Sequence, residues 1–68
     1  MQKLLRKKFG QFLRRKRGDR TLRDFAREAG LSSSSLQRLE QGEQNLTIDS
    51  LEAVLRKLEV SVKDVFPL

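Results

Sequence analysis

The chain is punctuated for short helices. Thr21, Ser32, Thr47 and Ser61 each precede a run whose apolar residues recur every three or four positions. Gly18, Gly30, Gly42 and Pro67 stand where such runs stop. Ser and Thr side chains accept the unpaired N–H groups of a helix's first turn, and Gly takes the left-handed conformation that closes the last. A chain divided in this way has room for compact helices and little room for a sheet.

The spacing predicts a first helix over 3–17, with Leu5, Phe9, Phe12, Leu13 and Lys16 on one stripe and Lys and Arg on the other faces. Gly10 inside it costs roughly 1 kcal/mol relative to Ala, and a Gly at such a place lets another backbone come close. Gly18-Asp19-Arg20 reads as a tight turn. Thr21 then caps a second helix with Leu22, Phe25, Ala26 and Ala29 inward, closed by Gly30. Ser32 caps a third over about 33–41, with Leu36 and Leu39 inward and Ser33, Ser34, Gln37, Arg38 and Gln41 outward. After a polar loop, Thr47 caps a fourth with Ile48, Leu51, Val54, Leu55 and Leu58 at core spacing. Asp49 in its first turn suits the helix dipole. Val60, Val62 and Val65 hint at a strand, but Lys63-Asp64 after Ser61 favours one last helical turn. The expected architecture is all-α: a compact five-helix bundle forming one domain over 1–68, with a helix-turn-helix made by helices two and three.

Composition narrows the function. Sixty-eight residues bury only about 60% of their unfolded surface, so the stability margin is thin. The chain has no Cys and no His, which removes disulfides, thiolate metal sites and the commonest general base and metal ligand. No carboxylate pair has a plausible site. An enzyme is not expected, nor are a cofactor or a metal. The longest apolar run is three residues, Ala53-Val54-Leu55, too short for a membrane span or a signal-peptide core. A soluble, cytoplasmic protein is expected.

The 15 Lys and Arg outnumber the 9 Asp and Glu, a net charge of +6, and the excess is lopsided. Residues 1–20 hold nine cations and one acid; residues 21–68 hold six cations and eight acids. This asymmetry points to a polyanion, either nucleic acid or an anionic membrane surface. A solvated helix face that keeps a small domain soluble explains the same charge.

Two short helices separated by Gly30-Leu31-Ser32 carry the sharper signal. Where such helices cross steeply, the residue at Ala26 must be small and Gly30 must take positive φ at the corner. Leu36 and Leu39 then lock the second helix onto the first. An ordinary α-hairpin shares parts of this pattern.

The ordered set of Phe9-Gly10, Leu13-Arg14, Arg17, Thr21 through Ala26, Gly30-Leu31-Ser32, Leu36 and Arg38-Leu39-Glu40-Gln41-Gly42 resembles the lambda-repressor-like helix-turn-helix domains of phage repressors and Cro-type proteins. Leu51 through Leu58, Val60-Ser61-Val62 and Val65 extend the likeness over about residues 9–66. The resemblance implies a recognition helix, 33–41, that enters the major groove of double-stranded DNA. It places Ser32, Ser33, Ser34, Gln37 and Arg38 at the bases. Arg suits guanine O6/N7, Gln suits adenine N6/N7, and Ser reads weakly. It places phosphates at Arg20, Thr21, Leu22, Arg23, Gln41, Gln44 and Asn45. Many relatives have Gln at Leu22, a cation at Glu43, Pro at Leu46 and Gly at Glu59. Strain or a different cap is expected at Glu59.

The family also pairs an Arg late in the first helix with Glu40. A gapless alignment selects Arg15 but buries Lys7, Gln11 and Arg14. A turn shorter by two residues selects Arg17 and buries Phe9 and Leu13, and burial of apolar rather than charged groups decides for Arg17–Glu40.

One such domain makes few base contacts, so the resemblance implies a homodimer on a palindromic operator. Val65, Phe66 and Leu68 are the candidate dimer contacts, with Val62 beside them; core completion explains Val62 and Val65 equally well. The function expected is a transcriptional repressor. An antitoxin of the same fold, binding a toxin protein as well as its operator, is the alternative.

Overall fold

The computed structural model describes residues 3–43 and 47–66. Five helices follow one another: α1 (Lys3–Arg17), α2 (Leu22–Ala29), α3 (Ser33–Glu40), α4 (Ile48–Leu58) and α5 (Val62–Val65). The fold is all-α. Helices α2 to α5 each start on the expected capping residue. Thr21 accepts from the Asp24 N–H, Ser32 from the Ser35 N–H and Thr47 from the Ser50 N–H, each at 3.1 Å. At α5 the Asp64 carboxylate accepts from the Ser61 N–H at 2.9 Å. These bonds satisfy donors that a helix leaves unpaired at its N-terminus.

The buried side chains form one cluster drawn from all five helices. Phe9, Leu13, Phe25 and Leu36 are its largest fully buried members. Phe12, Ala26, Ala29, Leu39, Val54, Leu55, Leu58 and Val65 complete it. The close approach expected at Gly10 is present. A Cβ built there would lie 2.3 Å from the Leu39 carbonyl oxygen and 2.8 Å from that of Glu40. Hydrogen alone fits, so α1 and α3 cross almost backbone to backbone.

Three stripe positions differ from expectation. Leu5 and Lys16 share the arc of Phe12, Phe9 and Leu13 but stand in the first and last turns of α1, and both are exposed. Ile48 has core spacing but is 77% exposed. Gly30, just past α2, lies against the Lys57 side chain in the last turn of α4, so the two C-terminal ends adjoin. Ile48 is the first residue of α4, outside the buried cluster.

Glu59 closes α4 in the left-handed region at φ 58°. The Val60 N–H then donates to the Leu55 carbonyl at 3.0 Å, a closure that usually uses Gly.

Candidate nucleic-acid interface

The corner between α2 and α3 is built from backbone bonds. Gly30, at φ 75°, donates to the Arg27 carbonyl, and the Leu31 N–H donates to the Ala26 carbonyl at 2.8 Å. A Cβ at this φ is strained, so Gly turns the chain here at little cost. Leu31 tucks partly under the core, and Ser32 opens α3 immediately afterwards.

The exposed surface of α3 carries Ser33, Ser34, Gln37 and Arg38. Leu36 and Leu39 hold its opposite side in the core. Among the described residues, no hydrogen bond or ion pair engages the Arg38 guanidinium, so its planar fork is free for a ligand. Ser32 is more constrained. Its hydroxyl oxygen accepts the Ser35 N–H, and the hydroxyl pairs with the Ser35 hydroxyl at 3.0 Å. Ser35, half-buried, was not expected to take part; this pairing leaves Ser32 little freedom to read a base.

At the start of α2, the Thr21 hydroxyl oxygen accepts the Asp24 N–H, which leaves the hydroxyl proton able to donate to a phosphate. The Leu22 and Arg23 N–H groups, in the first turn, have no intrahelical acceptor. The Leu22 side chain packs partly against the core, which leaves its backbone as the polar feature there. Arg23 is exposed. Gln41 caps α3 at its C-terminal end, exposed and next to Gly42 and Glu43. Gln44 and Asn45 lie outside the described residues.

Arg20 is placed differently from the phosphate position expected of it. Its guanidinium donates to the Glu28 carboxylate, to the Lys16 carbonyl at 2.7 Å and to the Arg17 carbonyl at 3.3 Å. It also lies 4.8 Å over the Phe25 ring. Three of its five donors are therefore committed to closing α1 and holding α2. Neither Glu28 nor Phe25 stands at helix spacing from Arg20, and only the turn at 18–20 brings them together.

Arg17 and Glu40 form a two-pronged ion pair. Arg17 Nε meets Glu40 Oε2 at 2.9 Å and a terminal nitrogen meets Oε1 at 3.1 Å. The third nitrogen donates to the Arg20 carbonyl at 3.0 Å. The Glu40 side chain is 8% exposed and that of Arg17 22%. One guanidinium thus joins the end of α1, the turn before α2 and the end of α3, which sets how α3 is presented.

At the C-terminal end, Val65 is buried in the core and is unavailable to a partner, which corrects its assignment as a dimer contact. Its position on the inner side of a four-residue helix decides this. Phe66 packs partly against the same core, Val62 is exposed, and Leu68 lies outside the described residues.

These features define an all-α domain that presents a short, capped helix across a tight corner. A family model described as helix-turn-helix matches residues 13–65. The chain belongs to that family, the lambda-repressor-like helix-turn-helix proteins, which bind DNA. No curated protein and no solved structure matches the chain. Among the described residues no helix is long and apolar enough to cross a membrane.

Proposed function

We propose that the protein is a transcriptional repressor that binds a palindromic operator as a homodimer, as a single domain in the cytoplasm. Helix 33–41 enters the major groove. Arg38 reads guanine in the two-pronged manner, Gln37 reads adenine, and Ser33 and Ser34 let the helix backbone approach the base edges. The Leu22 and Arg23 N–H groups, the Arg23 side chain, Thr21 and Gln41 hold the sugar–phosphate backbone and set the register. Gln44 and Asn45 belong to the same edge by their place in the sequence. Specificity beyond these contacts rests on duplex shape and bridging water.

The observation that carries this reading is the exposed, unengaged Arg38 on the third helix of a chain in a DNA-binding family. Two copies place their α3 helices in successive major grooves about 34–36 Å apart. Val62 and Phe66, at the far end of the chain, supply the apolar part of the contact between copies.

Selection of bound duplexes from a random library tests the reading directly. Two inverted half-sites are expected, each with a guanine that loses its preference in Arg38→Ala. Equal binding of every duplex at moderate salt rejects sequence-specific regulation.

A further inference from the structure

We propose that the outer face of α1 is a second binding surface for duplex DNA, so that one molecule holds two duplex segments at once. The helix spans Lys3–Arg17 and contains no acid. Lys7, Lys8, Arg14 and Arg15 are exposed, and among the described residues no ion pair or hydrogen bond engages their side chains. Arg17, on the same helix, is neutralised by Glu40.

At 100° per residue the four form one surface. Gln11 lies at its centre, roughly opposite the buried line of Phe9 and Leu13. Lys7 and Arg14 flank it on one side and Lys8 and Arg15 on the other. The two cation pairs are seven residues apart, about 10.5 Å along the axis. A duplex laid on this face offers both pairs its phosphate backbones, about one charge per 1.7 Å of axis.

The face is separate from the one on α3. The buried side of α1 packs on α3, with Gly10 against the Leu39 and Glu40 carbonyls. The outer face therefore points away from α3, while Ser33, Ser34, Gln37 and Arg38 point away from the core on their own helix. A duplex seated on each approaches from a different direction. Charge complementarity selects the occupant: cations spaced along a rigid rod, with no acid between them, suit a regular polyanion. The proposal stands beside the α3 reading and is tested apart from it.

The test compares the wild-type protein, the variant K7Q/K8Q/R14Q/R15Q and the variant R38A. Gln keeps the helix propensity of these exposed positions, and circular dichroism checks the fold; R14Q/R15Q serves if the fourfold change unfolds the chain. One readout is capture of a labelled random duplex by protein bound to an immobilised duplex. The other is the preference for a library-selected duplex over a random one. The wild-type chain should do both. The α1 variant should lose capture at least about tenfold, by removal of four phosphate contacts at a salt slope of about 0.9 each, and should keep the preference. Undiminished capture by the α1 variant, or no capture by the wild type, overturns the proposal. So does joint loss of capture and preference in the α1 variant, which would make both helices one surface. Binding of the wild type to anionic phospholipid vesicles with no capture of a second duplex assigns the face to a membrane and equally overturns it. If R38A keeps the preference, the α3 reading fails, and the capture result still decides the role of α1.

Discussion

Three arginines and one glutamate show how residue type is separated from residue role. Arg17, Arg20 and Arg23 lie within seven positions of one another, and composition treats them alike. Arg17 closes on Glu40. With one partner removed, the other is left mostly buried and uncompensated. Glu40→Gln should lower stability by about 2–3 kcal/mol in urea unfolding, less than for a fully buried pair because Arg17 keeps some solvent. Arg20 and Arg23 are distinguished by salt. Arg20→Gln should lower the melting temperature, since it gives up helix-closing bonds and the stack on Phe25, and should leave the slope of log Kobs against log salt unchanged. Arg23→Gln should reduce that slope by about 0.9 and shift stability by less than about 0.5 kcal/mol. Among the described residues, Glu59 is the non-glycine residue held at positive φ. Glu59→Gly relieves about 1–2 kcal/mol of left-handed strain but adds freedom to the unfolded chain. A net gain of about 0.5–1 kcal/mol is expected, seen as a higher urea midpoint.

At the scale of the element, the caps made helix starts readable, because a Ser or Thr accepts a bond within three residues of itself. All four capping residues occupy the positions expected of them. Faces were less legible. Ile48 obeys the same spacing as Leu55, yet one is exposed at the start of α4 and the other lies in the core. Periodicity states which side of a helix is apolar; it does not state where the neighbouring helix ends. Val62 and Val65 make the same point in α5, where one is exposed and the other buried. Gly10 is the strongest element-level constraint. In Gly10→Ala the added methyl meets backbone carbonyls, which cannot rotate away. Despite a propensity gain of about 1 kcal/mol, a net loss of about 3 kcal/mol or more is expected, measured by thermal unfolding.

For the molecule as a whole, charge is concentrated on one helix rather than spread evenly. The net charge of +6 resolves into a cationic α1, a nearly neutral reading surface on α3, and arginines consumed in joining helices. If the proposed roles hold, capture of a second duplex and discrimination between sequences belong to different faces. Assembly belongs to this scale too. If two copies meet through Val62 and Phe66, Val62→Lys should shift sedimentation from dimer to monomer and weaken operator binding by at least about tenfold, with the fold intact by circular dichroism. Val62 is exposed, so the substitution does not disturb the core.

Local chemistry was enough to settle the number of helices, their starts, the Gly30 corner and the resemblance that assigns the class, because each depends on residues a few positions apart. The Arg17–Glu40 pair was legible as well, once burial of Phe9 and Leu13 set the alignment. The partners of Arg20, the exposure of Ile48, the division between Val62 and Val65, and the hydroxyl pairing that occupies Ser32 with Ser35 were not. The first three depend on how long each helix is relative to the one it crosses and on where a turn delivers its ends. The last depends on which rotamer the cap adopts. The distances behind the first three exist only after the helices have packed.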